Sequence, residues 1–222
     1  LFALTDLVGM SLASIGAINH AERMGFYEPA VHAYNAIGYV MGSVGLRGIG
    51  ERFLARAATG DALAVCNSHY ARGLWLLGDA RFEDSEGEIR KGLEHARAVG
   101  DSVAIATGIS CLGTRFELVG DFRGALLQWR ELLHVADRLA DERHELWATT
   151  GIGGALCMEG SVDQALDWIR RREDLLARED RMTAVGFYGQ RAQVFLRAGE
   201  RALAGEAAAL THRYVSETGT NI

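Results

Sequence analysis

The sequence predicts an all-α chain in which helices pair into repeats and stack as a right-handed α-solenoid. The chain has a single proline and almost no alternation of polar and apolar residues, so strands are not expected. A glycine just past a helix end adopts the left-handed conformation at low cost, and a following Asp or Ser can cap the next helix. Such turns recur at a nearly constant interval: Gly60-Asp61, Gly100-Asp101 and Ala140-Asp141 form one series, and Gly78, Gly120, Gly160 and Gly199 form another.

These turns divide the chain into predicted helices. Pro29 stands at a helix start, where its missing N–H costs nothing. The end of the first helix, Asn19 to Gly25, resembles Glu94 to Gly100, so the first helix is expected to be the second member of a pair. The helices are predicted at 5–24, 29–43, 45–60, 61–78, 82–99, 102–119, 122–139, 142–159, 162–178, 181–198 and 200–217.

The periodic turns also predict how the chain is organised. A helix pair of this kind buries its apolar face only by stacking on copies of itself, and the 49% of hydrophobic residues is ample for such burial. We therefore expect one array over residues 1–222, with about five repeats and an N-terminal half-repeat. The sequence begins Leu-Phe-Ala inside a predicted helix, which suggests a fragment of a longer protein.

Composition narrows the class of partner and the compartment. The net charge of -6 argues against bulk nucleic-acid binding. No apolar run reaches 18 residues, so no membrane span is predicted. Cys66, Cys111 and Cys157 are far apart and form no Cys-x-x-Cys pair, which is typical of a reducing compartment. We expect a cytoplasmic protein.

Motifs for catalysis, metals and cofactors are weak. The glycine-rich stretch 151–154 lies inside a predicted helix and lacks the Lys-Ser or Lys-Thr of a phosphate loop. His134 and His144 flank a turn near Asp137 and Asp141, but no two histidines are spaced i, i+4 to share a helix face. The sequence therefore predicts no enzyme, no metal site and no cofactor.

The predicted fifth helix begins with an acidic stretch. Glu83, Asp84, Glu86 and Glu88 fall in its first half. Negative charge at a helix start interacts favourably with the helix dipole. A docking site for a partner is the alternative interpretation, and the sequence alone leaves both open.

A pattern of small and large residues recurs across the turns. It consists of a small residue, an aromatic or aliphatic residue three later, a glycine turn, then a small and a large residue on the next helix. This pattern resembles the tetratricopeptide repeat (TPR), a helix–turn–helix unit. The matching sets are Gly113, Phe116, Gly120, Ala125 and Trp129; Gly153, Leu156, Gly160, Ala165 and Ile169; Ala192, Phe195, Gly199, Ala204 and Ala208; Ala71, Leu74, Gly78, Ser85 and Ile89, with one extra residue; and Gly38, Met41 and Gly45.

The chain departs from the usual repeat in two ways. Its period near 40 residues exceeds the usual ~34, and the proline that normally closes the second helix is absent. Both features, and stretches such as Ala80 to Ile89 and Gly92 to Asp101, resemble the degenerate repeats behind ATPase modules in large bacterial proteins. Those proteins carry cyclase, kinase or transcription-regulator domains. The resemblance implies a non-enzymatic protein-interaction scaffold; a small-molecule sensor that regulates a linked domain is the alternative.

The resemblance further implies that the first helices of the pairs line a concave groove. This groove would take a protein or peptide segment, or a flanking domain of the parent chain. Trp75 and Trp147 could equally pack between repeats. The implied groove residues are His32, Asn35, Tyr39, Ser68, Arg72, Trp75, Thr114, Glu117, Trp147, Thr150, Gln193 and Arg197.

Overall fold

The computed structural model describes residues 7–25, 28–171 and 181–217. This part of the chain is all-helical and contains no strand, which confirms the predicted fold class. The predicted end of the ninth helix is wrong, because that helix ends at Ile169; its predicted continuation from 172 lies outside the described residues. The helices are α1 (Leu7–Met24), α2 (Glu28–Ser43), α3 (Arg47–Ala57), α4 (Ala62–Gly78), α5 (Phe82–Val99), α6 (Ser102–Leu118), α7 (Phe122–Leu139), α8 (Glu142–Met158), α9 (Val162–Ile169), α10 (Arg181–Arg197) and α11 (Arg201–Glu217).

Aspartates cap the helices that follow most of the predicted turns. The Asp61 carboxylate accepts a hydrogen bond from the Ala64 N–H at 2.8 Å, and this satisfies one of the free donors at the start of α4. Asp101, Asp121 and Asp141 make the equivalent bond, each to the N–H three residues later. Ser161 precedes α9 but makes no such side-chain bond, so its predicted capping role is wrong.

The turn between α4 and α5 differs from its prediction. Gly45, Gly120, Gly160 and Gly199 have φ between 80° and 90°, as expected for turns that need the left-handed conformation. In the α4–α5 turn that conformation belongs to Ala80, with φ of 58°, and not to Gly78, which lies at the end of α4. The Cβ of an alanine makes the left-handed conformation strained, so a glycine is the residue normally expected there. The sequence therefore predicted the left-handed residue two positions too early, at Gly78.

The chain divides into two compact units. The N-terminal unit runs from Asp6 to Cys111, and the C-terminal unit begins at Leu112. In the N-terminal unit α2 packs on α1, α3 and α4, and α4 packs on α5. In the C-terminal unit α8 packs on α7, α9 and α10, and α10 packs on α11. A single array over all 222 residues stays a prediction.

One glycine in the first helix of a repeat lies against a large side chain of the second helix. A Cβ on Gly73 would lie 2.5 Å from Ile89 Cγ1, and a Cβ on Gly153 would lie 2.7 Å from Ile169 Cγ2. We call these residues the packing glycines, because they let paired helices approach closely. The four pairs have the same sequence spacing: Gly38 with Leu54, Gly73 with Ile89, Gly113 with Trp129, and Gly153 with Ile169.

The packing glycines confirm part of the predicted repeat pattern and correct the rest. The pairs Gly113–Trp129 and Gly153–Ile169 are confirmed. In the α4–α5 repeat the small residue is Gly73 instead of the predicted Ala71. Ile89 then follows it at the same spacing as in the other repeats, without the extra residue that was predicted. In the last repeat Ala208 is exposed, and α11 instead buries Ala204 and Ala207.

Candidate binding surfaces

The packing glycines fix which face of each first helix is left open. In the N-terminal unit, the residue directly after the glycine and the residue six places before it are half-buried or exposed. Successive residues turn by about 100° on a helix, so these two positions share a face that points away from the glycine's contact. We call this surface of α2, α4 and the start of α6 the free face; its residues are His32, Tyr39, Asn67, Leu74 and Thr107.

Two predicted groove residues lie inside the N-terminal unit instead. Asn35 is 8% exposed and Ser68 is 0% exposed. Ser68 Oγ donates to Asn35 Oδ1 at 2.7 Å, while Asn35 Nδ2 donates to the Ala64 carbonyl oxygen at 3.0 Å. These bonds join α2 to α4 and satisfy buried polar groups. The prediction that Asn35 and Ser68 face a partner is therefore wrong.

Trp75 packs between helices. It is 8% exposed, and its indole Nε1 donates to the Tyr39 carbonyl oxygen at 3.0 Å. Its ring lies where a Cβ on Gly42 or Gly50 would be, so both glycines are needed for this contact. Of the two interpretations that the sequence left open, the structure supports packing for Trp75. Tyr39 itself is half-buried on the free face, and burial raises the pKa of its hydroxyl.

Arg72 does not lie on the free face. Its Nε and Nη2 atoms donate to the Glu51 carboxylate at 2.7–3.0 Å, so α4 is tied to α3 by a bidentate ion pair. The Arg72 side chain is 20% exposed. It is therefore directed toward a second helix, away from the surface on which it was predicted.

In the C-terminal unit the predicted residues fall into two groups. Thr114 and Trp147 are half-buried at the positions equivalent to the free face, and Gln193 and Arg197 are exposed on α10. Trp147 Nε1 donates to Thr183 Oγ1 at 3.4 Å, and Gln193 Nε2 lies 3.3 Å from Met158 Sδ. Thr150 instead donates to the Leu146 carbonyl oxygen at 2.7 Å within its own helix.

Glu117 contacts α7 instead of an open groove. Its carboxylate accepts a hydrogen bond from Trp129 Nε1 at 2.9 Å, beside the contact that Trp129 makes with Gly113. Burial raises the pKa of this carboxyl group to about 7, although the tryptophan bond acts in the opposite direction. Glu117 is therefore a titrating group near neutral pH whose charge affects the stability of the helix pair.

We expect the free energy of unfolding to depend on the ionisation of Glu117. Its folded pKa is raised, so the folded state holds the proton more tightly and loses stability as pH rises from about 4.5 to about 7. Below pH 4.5 both states are protonated and the penalty is absent. Compared with Glu117→Gln, the wild-type chain should lose about 3 kcal/mol across this range. Urea unfolding of both proteins from pH 4 to 8 measures the difference; a difference that does not change with pH would contradict the expectation.

Sequence reasoning missed two free-face residues. Asn67 is half-buried, and the described part of the chain contains no hydrogen-bond partner for its side-chain amide. Leu74 was recognised in the repeat pattern but not as a surface residue. Both would have been found by counting from Gly73, since His32 and Tyr39 stand at the same places relative to Gly38.

The described residues show no built metal site or membrane-spanning helix. His144 Nδ1 lies 2.6 Å from Asp141 Oδ2, whereas His134 is exposed. Within ranges 7–25, 28–171 and 181–217, no three His, Cys, Asp or Glu residues are grouped to hold a metal ion. None of the helices described there has the length and apolarity to cross a bilayer.

Comparisons with known proteins relate the chain to others by structure. No protein-family model and no curated protein matches it. BtubC (BKLC) from P. vanneervenii matches with a TM-score of 0.70 and 16% identity, over 97% of this chain and 93% of that one. Aspartyl phosphate phosphatase F from Bacillus subtilis matches with a TM-score of 0.65 and 11% identity, over 91% of this chain and 55% of that one. PilF from Pseudomonas aeruginosa matches with a TM-score of 0.55 and 12% identity, over 95% of this chain and 97% of that one.

These neighbours define the fold class. They are TPR-type helical repeat proteins, and the chain shares their fold. The TPR-like array predicted from the sequence is thus confirmed as a fold. At these identities the likeness concerns the fold alone, and function has to be argued from the surfaces described above.

Proposed function

We propose that the chain is a non-enzymatic module that binds an extended polypeptide on the free face of its N-terminal unit. The observation that carries this proposal is Asn67, whose amide lies half-buried on an open helix face without a partner among the described residues. A side-chain amide offers both donors and an acceptor, so it can pair with a peptide group of an extended chain. Thr107 stands at the equivalent position of α6, and its hydroxyl oxygen can accept a further bond.

The rest of the free face supplies contact area beside these polar groups. Tyr39 and Leu74 occupy equivalent positions on α2 and α4, and both are half-buried. Because α2 packs on α4, Tyr39 and Leu74 add an aromatic and an aliphatic side chain to the face that carries His32 and Asn67. Interfaces combine such apolar anchors with a few polar groups that fix orientation.

We also propose that this module belongs to a larger cytoplasmic regulatory protein of bacterial type. The support is the resemblance of stretches such as Ala80 to Ile89 to the repeats that accompany ATPase modules. In this setting the bound polypeptide is a partner protein or a flanking domain of the same parent chain. The C-terminal unit carries Trp147, Gln193 and Arg197 on its own first helices and adds a second contact surface of the same kind.

The free face is tested by removing its aromatic side chain and its amide together; Tyr39 also packs against Leu54, Ala71 and Trp75, so the fold of the variant is measured as well. Peptides are selected from a displayed random library against the whole chain and then titrated by calorimetry. The double variant Tyr39→Ala with Asn67→Ala should weaken binding by roughly 2 kcal/mol, since the anchor and the amide are both removed. Asn67→Ala alone should also weaken binding and should leave the helical circular dichroism signal unchanged, because Asn67 has no partner in the described chain.

The matched control lies on second helices. Arg52→Ala with Glu94→Ala removes two exposed side chains of α3 and α5 and should change affinity little. The proposal fails if this control pair abolishes binding of the selected peptides while the Tyr39 and Asn67 pair does not.

A further inference from the structure

One repeat carries a charged residue where the others bury an aliphatic one. The residue directly before the packing glycine is Ile37, Leu112 or Ile152 in three repeats, each at most 1% exposed. In the α4–α5 repeat this residue is Arg72, which is held by Glu51. The Glu51 side chain is 52% exposed and stays hydrated, so this ion pair adds little stability in place of the buried aliphatic contact. A local departure of this kind is expected at a functional position.

Arg72 lines a cleft within the N-terminal unit. Its volume is about 460 Å³, and it lies between α3 and α5 with α4 beneath. Trp75 and Leu76 form its apolar floor beside Arg72. Gly87 lines the α5 wall in the middle of a helix, and a Cβ there would meet nothing within 4 Å. Neither packing nor backbone conformation requires this glycine, yet its lack of a side chain keeps the cleft open.

The cleft lining holds four basic and four acidic side chains, but Arg47 pairs outside the lining, so one lining carboxylate has no cation within the described part of the chain. Each basic side chain of the lining is bound to a carboxylate: Arg47 to Asp79, Arg72 to Glu51, Arg81 to Asp84 and Lys91 to Glu88. Glu83 also lines the cleft, and no cation pairs with it in the described ranges. One negative charge is therefore left over at the mouth of the cleft.

Glu88 keeps its charge inside the cleft wall. Burial alone would raise the pKa of its carboxyl group, but hydrogen bonds from Lys91 and from His69 outweigh burial and lower the pKa. His69 Nδ1 lies 2.8 Å from Glu88 Oε2. The carboxylate is held in place by His69 from α4 and by Lys91 from α5, so this part of the cleft wall is ordered.

We propose that this cleft is a second binding site, which takes the basic side chain of a partner polypeptide. An arginine or lysine side chain has an apolar stem and a cationic head. The stem fits against Trp75 and Leu76, and the head reaches Glu83, the carboxylate without a cation. The basic side chains of the lining repel further positive charge, so the site takes only one arginine or lysine side chain. This site lies between the second helices α3 and α5 with α4 as its floor, and it shares no residue with the free face.

The site is tested with the smallest probes of its specificity. The whole chain, labelled with nitrogen-15, is titrated with N-acetyl-arginine amide and with N-acetyl-citrulline amide, which has nearly the same shape but no charge. We expect saturable shifts of the Gly87 amide and the Trp75 indole N–H with the arginine probe, and none with citrulline. Glu83→Gln should weaken arginine binding about threefold, as for the loss of one partly exposed ion pair.

Two further variants make the result decisive. Glu94→Gln removes an exposed charge of α5 outside the cleft lining and should leave the arginine titration unchanged. Gly87→Ala adds a methyl group where there is open space, so the fold should persist while binding weakens. Equal shifts with citrulline, or wild-type affinity of Glu83→Gln, would overturn the proposal. Asn67→Ala removes the free-face amide outside the cleft lining and should not affect this titration, so failure here is distinct from failure of the free face.

Discussion

Gly153→Leu is expected to lower the free energy of unfolding by about 1–3 kcal/mol, the usual cost of overpacking a tight contact. The first added carbon would lie 2.7 Å from Ile169 Cγ2 and 3.6 Å from the Ala165 carbonyl oxygen. Because α8 is buried along this stretch, the added side chain can only be accommodated by moving α9 away. Urea unfolding followed by circular dichroism measures the change.

Gly186→Leu is the matched control for this substitution. Gly186 also lies inside a first helix, α10, but it is exposed and a Cβ there would meet nothing within 4 Å. The control should keep or slightly raise stability, since leucine has the better helix propensity. Equal stability of the Gly153 and Gly186 variants would show that the packing glycines do not set the phase of the repeats.

Ala125→Glu should cost about 3 kcal/mol or more, the larger of the two effects. Ala125 is 0% exposed on the inner side of α7, and a carboxylate there would be buried without a cation. The variant is expected to show a lower thermal midpoint and a partial loss of helical signal. The measurement is thermal unfolding followed by circular dichroism at neutral pH.

Leu127→Glu provides the control two positions along the same helix. Leu127 is 66% exposed, so the same new carboxylate remains hydrated and should leave the thermal midpoint nearly unchanged. If the two glutamate variants melt alike, α7 packs through a different face from the one described. The comparison also controls for the added negative charge, which is identical in both variants.

Local signals made most of the fold predictable from the sequence. Capping aspartates such as Asp61 and Asp121 act within three residues of their own position, so their effect can be recognised without knowing the tertiary structure. The same holds for Gly120 and Gly160, whose left-handed turns end their helices. Ala80 shows the limit: it adopts the left-handed conformation in the α4–α5 turn, although Gly78, two positions earlier, is the residue type that favours it.

The candidate surface was harder to predict, because a helix face is sensitive to a shift of one residue. Ser68 was predicted to face the partner and Trp75 was left open between groove and packing, whereas Asn67 and Leu74, each one position earlier, occupy the open face. One position on a helix is a rotation of about 100°, enough to move a side chain from surface to core. The residue types did not indicate the error, since tryptophan and serine are plausible both on an open helix face and between packed helices.

Ion pairing was a second feature that the sequence could not show. Arg72 was predicted as a groove residue because the resemblance to the repeat implies that its position points inward, and arginine is a common binding anchor. Its partner Glu51 lies 21 positions earlier on a different helix, and nothing in either segment predicts that contact. The cleft that follows from the pair could therefore be recognised only in three dimensions.

Hydroxyl-radical footprinting of the chain with and without a selected peptide tests the central claim, that binding uses the free face, most directly. The method reports the solvent exposure of individual side chains, so it separates neighbouring positions on one helix. The account predicts reduced oxidation of His32, Tyr39 and Leu74 when the peptide is bound, with no change at Phe82, His95 and Val99 on α5. Protection of the α5 side chains with none on the free face would contradict it.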